Sequence, residues 1–228
     1  MALAIFDLDN TLLAGDSDYL WGRFLGELGV VDAESYESEN ERFYREYREG
    51  RLDIMEFLAF SLQPLSEHPR TELDAWHARF MREKIEPLIT PAAEQLVDRH
   101  RKAGDTLMII TATNAFVTAP IARRLGIPHL IATDPEQHNG RYTGRVSGIP
   151  SFREGKVARL QTWLTAHAAR LEEAWFYSDS HNDLPLLERV GHPVAVDPDE
   201  TLERHAREHG WPVISLRGDV PETGHRHL

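Results

Sequence analysis

Residues 2–12, with the sequence ALAIFDLDNTL, are the segment around which the chain is organised. The first five of them are apolar and bounded by polar residues, a pattern that predicts a short buried strand. Asp7 and Asp9 are two residues apart where that strand would leave its sheet, so both carboxylates would project to one side. Two like charges so close are unfavourable unless a cation or a shared proton compensates. The pair therefore indicates chemistry, although an isolated D-x-D also occurs in ordinary turns that end a strand.

Beyond residue 88 the chain alternates apolar strands with helical segments. This alternation predicts an α/β fold with a parallel sheet. The turn signal Asn139-Gly140 adds a hairpin to the sheet. The tail to Leu228 is expected to be disordered. The predicted strands are residues 2–6, 106–110, 129–132, 174–177 and 193–196, with a possible edge strand at 213–216.

Residues 14–88 have the pattern of an all-helical insertion. A charge-rich helix is expected over 32–50, a short apolar helix over 54–62, and a further helix over 71–86 with Pro87 beyond its end. The predicted division is therefore a sheet domain, formed by residues 1–13 and 89–228, and a helical domain formed by residues 14–88.

Composition narrows the range of partners and locations. The 228 residues include 25 Lys and Arg against 37 Asp and Glu, a net charge of −12 that disfavours nucleic acid and anionic membranes as partners. There is no cysteine, so disulfide and thiolate chemistry are excluded. No apolar run approaches the roughly 20 residues that span a bilayer, and Asp7 and Asp9 interrupt the apolar N-terminal stretch where a secretory signal would lie. The expected location is the cytoplasm.

Polar residues that are distant in the sequence are expected to meet at one edge of the sheet. Asp7, Thr111 and Asp179 each directly follow a predicted strand, and ligands of open parallel sheets bind outside the carboxyl ends of the strands. Asp183 lies four residues after Asp179, on the same face if that segment is helical. Lys156 stands near the start of a predicted crossover helix.

These motifs, in this order, resemble the four motifs of the haloacid dehalogenase superfamily. They are the segment Asp7-Leu8-Asp9-Asn10-Thr11, then Thr111, then Lys156, and last the segment from Asp179 to Asp183. The resemblance implies a Rossmann-like parallel sheet with helices on both faces, and an all-helical C1 cap inserted after the first strand. The hairpin before the lysine is similar to that of phosphoserine phosphatase-like members, and a second aspartate at position 9 is typical of phosphatases and phosphotransferases.

The resemblance also implies roles for the aspartates. Asp7 would be the nucleophile that forms an aspartyl-phosphate, and Asp9 the general acid and base. Mg²⁺ would be bound by the carboxylates of Asp7 and Asp179 and by the backbone carbonyl of Asp9. Asp183 would support the metal either as a further ligand or through contacts with its ligands. Oxygen ligands of this kind are what Mg²⁺ prefers.

Thr111 and Lys156 are the predicted phosphate-binding residues. The hydroxyl of Thr111 and the compact charge of Lys156 would contact the phosphoryl oxygens. Taken alone, each has an ordinary alternative: a hydroxyl at a strand end and a solvated lysine on a helix. Asn114 is more simply a helix N-cap than a site residue.

The expected substrate is a small phosphorylated metabolite that carries an amine. In phosphoserine phosphatase-like members an acid shortly after the first motif binds the substrate ammonium, and Asp16 stands at the matching position. Residues 52–65, where an arginine for a substrate carboxylate would be expected, contain no Lys or Arg, and Arg51 lies just outside. A buried carboxylate without a cationic partner would be costly, which favours histidinol phosphate. Phosphoserine, phosphoethanolamine and phosphocholine are the alternative substrates. Asp18 is either a second acidic contact for the amine or, more simply, a helix N-cap.

Two other functions compete with the phosphatase. His205 and His209, with Glu208 beside the second, match the H-x-x-E-H spacing of a zinc peptidase, for which Glu222 would be a weak third ligand. An exposed helix with two histidines explains them more simply, and a disordered tail explains His225 and His227.

A non-catalytic phosphometabolite-binding module is the other alternative, but such a protein would not need Asp9.

Overall fold

One sheet of seven strands organises residues 2–218, the part of the chain that this computed structural model describes. The spatial order is β4-β3-β2-β1-β5-β6-β7. Every neighbouring pair is parallel except β3 and β4, which form an antiparallel hairpin. The strands are β1 Leu3–Phe6, β2 Thr106–Asn114, β3 His129–His138, β4 Arg141–Ser147, β5 Trp175–Ser178, β6 His192–Val196 and β7 Val213–Ile214.

Helices connect the parallel strands and also form the segment between β1 and β2. This confirms the α/β fold class with a parallel sheet. Within the segment between β1 and β2, Leu13 and Ile89 form an isolated antiparallel bridge on either side of residues 14–88. The helices are α1 Ser17–Glu27, α2 Ala33–Arg48, α3 Ile54–Glu67, α4 Arg70–Phe80, α5 Pro91–Ala103, α6 Ala115–Arg124, α7 Glu154–His167, α8 Leu184–Leu187 and α9 Glu200–His209.

The central strand β1 has one apolar cluster on each of its faces. Ala4 and Phe6 belong to a cluster that also contains residues of α1, α3 and α4, whereas Leu3 and Ile5 belong to a cluster with α7 and α9. The helices of residues 14–88 thus share an apolar core with one face of the sheet. Because the two parts have a core in common, the division into domains 1–13 with 89–228 and 14–88 stays a prediction.

The helical insertion differs from the prediction in its boundaries. Helix α3 continues through Pro64 to Glu67 instead of ending at residue 62. Pro64 and Leu65 are buried, and burial of apolar surface offsets the hydrogen bond that proline removes. The helix expected over 71–86 is not continuous, because α4 is followed by a turn of π-helix at Met81–Ile85 and a 3₁₀ turn at Glu86–Leu88.

Two strands are longer than the sequence pattern indicated. β2 continues to Asn114, so that Thr111 lies inside the strand rather than directly after it. The register between β2 and β3 shifts between Ile110 and Asn114, which shows that this extension is irregular. β3 continues to His138 because its second half pairs with β4 in the hairpin.

Some predictions concern residues beyond this part of the chain. The expected disordered tail, with Glu222, His225 and His227, lies outside the described residues. Within residues 2–218, no helix is both long and apolar enough to cross a membrane.

Candidate active site

The ends of β1 and β5 bring two of the predicted site residues together. Asp7 directly follows β1, and its backbone N–H donates to the carbonyl of Tyr177 at 2.9 Å. Asp179 directly follows β5, which is the neighbour of β1 in the sheet. The hydroxyl of Thr11 donates to Asp179 Oδ1 at 3.1 Å, and the backbone N–H of Asp179 donates back to that hydroxyl at 3.0 Å. These bonds fix the two aspartates at one edge of the sheet.

Lys156 pairs with two aspartates from different motifs. Its Nζ lies 2.7 Å from Asp7 Oδ1 and 2.8 Å from Asp183 Oδ1, and all three side chains are buried. The close approach of Gly155 to the preceding loop places this lysine at the start of α7. A Cβ at position 155 would lie 2.1 Å from the carbonyl oxygen of Pro150, so a side chain there would displace the loop.

Burial perturbs the charged groups of this cluster. It raises the pKa of Asp7 to about 7 even though Lys156 opposes the shift. Burial, then the adjacent Asp7 and Asp183 carboxylates, raise the pKa of Asp179 well above its usual range. Burial alone would lower the pKa of Lys156, but Asp183 and Asp7 outweigh it and raise that pKa. The site therefore has an excess of buried negative charge that one lysine does not fully compensate.

Asp9 is held between the start of α1 and strand β2. Its Oδ1 accepts a hydrogen bond from the backbone N–H of Ser17 at 2.6 Å. Its Oδ2 accepts from the hydroxyl of Thr113 at 2.7 Å, and the hydroxyl of Thr111 lies 3.5 Å away. Burial raises the pKa of Asp9, with hydrogen bonds from Ser17 and Thr113 opposing the shift. A raised pKa suits a group that must both give and take a proton.

Thr113 is a site residue that the sequence prediction missed. Thr111 and Thr113 are two apart in an extended strand, so their side chains project to the same side. The spacing of two residues from Thr111 was the sequence signal that could have identified Thr113 as a site residue. Asn114 has the predicted capping role, since its Oδ1 accepts from the backbone N–H of Val117 at 3.2 Å.

The donor set at this edge fits a hard divalent cation. Asp7 and Asp179 supply carboxylate oxygens, and Mg²⁺ is usually held in proteins by one or two carboxylates together with water. The carboxylate of Asp183 accepts from Lys156, as that of Asp7 does, and at 2.7 Å from the hydroxyl of Ser178. In residues 2–218, no three His, Asp or Glu side chains gather in a metal-binding group. The predicted support of the metal by Asp183, as a ligand or from outside the coordination shell, stays a prediction; among the described residues Asp183 is a partner of Lys156.

Asp16 caps helix α1, a role that the sequence prediction gave to Asp18, while the predicted substrate contact of Asp16 stays a prediction. The N-cap of α1 is Asp16, whose Oδ1 accepts from the backbone N–H groups of Asp18 and Tyr19 at 3.0 and 2.9 Å. The prediction that Asp18 caps this helix is wrong, because Asp18 is its second residue. Burial and the carboxylate of Asp9 raise the pKa of Asp16 to about 7.

A single cavity contains the predicted catalytic, phosphate-binding and substrate-binding residues. The space between its walls amounts to about 680 Å³, part of which is open to solvent. Lys156 is the only Lys or Arg that lines it within the described chain. The sheet side, called here the phosphoryl end, is lined by Asp7, Asp9, Thr111 and Lys156.

The other side of the cavity is formed by the helical insertion. This side, called here the amine end, is lined by Asp16 and Asp18 and by aromatic residues of the insertion. The aromatic side chains at the wall come from α1, α2, α3 and the loop before α7: Tyr19, Phe43, Tyr44, Tyr47, Phe57 and Phe152. The cavity therefore combines acidic groups with an apolar, aromatic surface.

Hydrogen bonds join the insertion to the sheet beside this cavity. The hydroxyl of Tyr47, near the end of α2, donates to Ser180 Oγ at 3.0 Å. Asn182 Nδ2 donates to the Tyr47 carbonyl at 3.2 Å. Arg153 donates to the carbonyl of Gly50 at 2.5 Å and to Asn182 Oδ1 at 2.9 Å. The sequence prediction missed these contacts between the insertion and the sheet, because they join distant segments and have no local pattern.

A family model for haloacid dehalogenase-like hydrolases matches residues 4–188 of the chain. The chain belongs to this family. A histidinol-phosphatase of Neisseria meningitidis is 48% identical over 219 residues, which cover 94% of this chain and 99% of that protein. A phosphoserine phosphatase of Mycobacterium tuberculosis is 32% identical, over 95% of this chain and 71% of its own length. The family and these relatives identify the chain as a phosphatase, as predicted.

Solved structures of similar proteins have the same fold. A crystal structure of a protein of unknown function from Bordetella pertussis Tohama I superposes with a TM-score of 0.89 at 48% identity, covering 94% of this chain and 98% of that one. A substrate-bound phosphoserine phosphatase superposes with a TM-score of 0.71 at 19% identity, covering 97% and 95%. At that identity the second similarity concerns the fold alone. Dependence on Mg²⁺ is typical of phosphatases in the family.

The alternative zinc site is not assembled in the described part of this phosphatase. The rings of His205 and His209 stack with their centroids 4.0 Å apart, and His209 Nδ1 bonds the carbonyl of His205 at 2.9 Å. His205 faces Glu188 at 3.5 Å. These contacts are those of an ordinary helix surface with two histidines one turn apart.

Proposed function

We propose that this phosphatase hydrolyses a small amine-bearing phosphomonoester, histidinol phosphate, through an aspartyl-phosphate on Asp7 and with the help of Mg²⁺. One observation carries the proposal: a single cavity is lined by Asp7 and Lys156 on its sheet side and by the acids Asp16 and Asp18 on its helical side. The phosphoryl end suits a phosphoryl group, and the amine end suits a cation.

The phosphoryl end supplies a nucleophile and an acid. A carboxylate oxygen of Asp7 attacks phosphorus, a new P–O bond forms, and the bond to the substrate's ester oxygen breaks. Asp9 gives its proton to that leaving oxygen, and then takes a proton from the water that hydrolyses the aspartyl-phosphate to inorganic phosphate. Lys156 and Thr111 balance charge on the phosphoryl oxygens. A bond from Thr113 to Asp9 helps to keep its carboxyl group in one orientation.

The proposed Mg²⁺ would be held by the carboxylates of Asp7 and Asp179 and by the backbone carbonyl of Asp9. When bound, it neutralises negative charge so that an anionic nucleophile and an anionic phosphate can approach each other. The raised pKa values of Asp7 and Asp179 support this assignment, because a cation would relieve the repulsion that contributes to them.

The amine end favours a substrate without a carboxylate. No Lys or Arg between residues 52 and 65 is available, and Arg51 pairs with Glu49 while its side chain is 65% exposed. A carboxylate buried at this end would lack a cationic partner, which is costly. The similarity to the histidinol-phosphatase supports the same substrate. Phosphoserine is the second candidate, which the more distant phosphoserine phosphatase relative favours.

A panel of phosphomonoesters tests the proposal. The purified protein is assayed with Mg²⁺ on histidinol phosphate, phosphoserine, phosphoethanolamine and phosphocholine, and the released inorganic phosphate is measured. We expect the highest kcat/KM for histidinol phosphate and loss of activity with a chelator. Faster turnover of phosphoserine would refute the substrate, and binding of these esters without turnover of any would refute the catalytic function.

A further inference from the structure

The amine end of the cavity includes polar side chains of both α1 and α2. Asp18 belongs to the first turn of α1 and Asn40 to the middle of α2, and both line the cavity. Neither residue is part of the phosphoryl end. Asp16 and Asp18 alone indicate only that the cavity accepts a cation. The arrangement of Asp18 and Asn40 indicates which kind of cation it is.

Asp18 has few partners. In the described chain its carboxylate accepts one side-chain hydrogen bond, from Asn114 Nδ2 at 3.3 Å, and no Lys or Arg pairs with it. Asp16 differs, because its Oδ1 already accepts two backbone N–H groups of α1. Burial and the carboxylates of Asp16 and Asp9 raise the pKa of Asp18 well above its usual range. Of the two acids, Asp18 thus has the greater unmet capacity to accept hydrogen bonds from a ligand.

Asn40 contributes an independent observation. The residue is 5% exposed, and its Nδ2 donates to the carbonyl of Tyr19 at 3.0 Å. That bond orients the amide, and no donor to its Oδ1 is present among residues 2–218. A ligand that displaces water from this oxygen must supply a donor, because an acceptor that loses its hydrogen bonds on burial is unfavourable. The cavity is where such a ligand would lie.

Aromatic rings complete this end of the cavity. Phe43 and Phe57 pack edge to face with their centroids 5.4 Å apart, and both line it with Tyr44. Aromatic walls favour a flat ring over a flexible aliphatic amine, and their faces attract cations. A protonated imidazole combines a flat face, a positive charge and two N–H donors.

We propose that Asp18 and Asn40 accept the two N–H donors of the substrate's imidazolium ring and so determine its selectivity for a ring-bearing amine. Binding of the cationic ring favours the ionised carboxylate of Asp18, which compensates the ring's charge. Asn40 Oδ1 accepts the second N–H, and Asp16 binds the substrate's ammonium. This assignment rests on the proposed function, because it presupposes a substrate with a cationic ring.

The variant Asp18→Asn tests the assignment. It keeps the size of the side chain and an oxygen for Asn114 but removes the charge. The measurement is the ratio of kcat/KM for histidinol phosphate to kcat/KM for phosphoethanolamine, an amine without a ring. Hydrogen bonds to charged groups are the strong ones, so we expect this ratio to fall about tenfold or more. Asn40→Leu, which removes the second acceptor, should lower it by about threefold to tenfold.

Glu34→Gln is the matched control. Glu34 is exposed in the first turn of α2 and makes no side-chain hydrogen bond or ion pair in the described chain, so the same change of charge there should leave the ratio unaltered. An equal ratio in the wild type and in Asp18→Asn overturns the assignment while the proposed function stands. A wild type that does not hydrolyse histidinol phosphate overturns both.

Product inhibition supplies a test that needs no variant. Histidinol and ethanolamine are compared as inhibitors of p-nitrophenyl phosphate hydrolysis by the wild-type enzyme. Histidinol should bind at least about tenfold more tightly, since only its ring reaches both acceptors. Equal inhibition constants would overturn the assignment, whether or not the variants fold.

Discussion

The two ends of the cavity are built in different ways. The phosphoryl end collects residues from distant segments, and Lys156 neutralises part of the charge of Asp7 and Asp183 at 2.7 and 2.8 Å. The amine end takes Asp16 and Asp18 from one turn of helix and has no such counter-charge in the described chain. The chemistry at the first end therefore depends on the order of strands in the sheet. The proposed recognition of the amine depends instead on the helical insertion, which contributes Asp16 and Asp18 of α1 and Asn40 of α2.

The largest effect is expected at the phosphoryl end. Asp7→Asn should reduce kcat on any phosphomonoester on the order of 10⁴-fold, because the nucleophile is lost. The fold should persist, since Lys156 keeps Asp183 as a partner. Phosphate release and circular dichroism are the measurements. Activity near the wild-type level would exclude Asp7 as the nucleophile.

Lys156→Met should weaken both chemistry and stability. We expect kcat/KM to fall by about 10²–10³, as when a donor to a transition-state oxygen is removed. Leaving Asp7 and Asp183 buried without their cation should cost about 3–5 kcal/mol of unfolding free energy, measured by urea unfolding. Arg159→Met on the same helix is the control, because its ion pair with Asp134 is near the surface and should contribute at most about 1 kcal/mol. Equal losses in the two variants would contradict the central role of Lys156.

The buried acids of both ends predict how stability depends on pH. The pKa values of Asp7 and Asp16 are each raised from 3.8 to about 7, chiefly by burial. Between these values the folded state holds protons that the unfolded chain releases, so their contribution is present in full below pH 3.8 and is lost as the pH rises through about 7. Without metal, urea unfolding at about pH 8 should therefore show a few kcal/mol less stability from these groups than at about pH 5.

Added Mg²⁺ distinguishes the contributions of the two ends to the pH dependence of stability. It should restore stability at the higher pH by compensating Asp7 at the phosphoryl end. Asp16→Asn should reduce the pH dependence of the metal-free protein, because it removes the contribution of the amine end. A metal-free protein that is more stable at the higher pH, with other titrating groups unchanged, would contradict the raised pKa values.

The smallest effect is expected at the contacts that join the insertion to the sheet. Tyr47→Phe removes the bond from its hydroxyl to Ser180 Oγ, at a net cost of about 0.5–1.5 kcal/mol. We expect KM to rise about twofold to tenfold with little change in kcat, because these contacts position the amine end rather than the reacting atoms. Tyr36→Phe on the same helix is the control, since Tyr36 does not line the cavity and its hydroxyl makes no hydrogen bond within residues 2–218. A fall in kcat alone would assign Tyr47 to the phosphoryl end.

Much of the fold and of the phosphoryl end could be predicted from local patterns. The apolar run before Asp7 and the alternation of strands and helices predict parallel strands, and the carboxyl ends of such strands lie at one edge. Those arguments lead to Asp7, Thr111 and Asp179. They fail where an element continues past its apolar core, as β2 does through Thr111 to Asn114.

The partners of these residues could not be predicted. The spacing of four residues from Asp179 predicts Asp183 near the metal, but it gives no sign that Asp183 bonds Lys156 and Ser178. The N-cap of α1 is Asp16 rather than Asp18, since both are good capping residues and the sequence does not say where the helix begins.

Local sequence patterns suffice for the α/β class, the helical insertion and the aspartates at the strand ends, because burial has a period of two in strands and about 3.6 in helices. It took the folded chain to show that Lys156 joins Asp7 to Asp183 and that Asn40 lines the same cavity as Asp18. Such contacts connect residues as far as 149 positions apart. They depend on strand order, register and helix packing, which no local pattern encodes.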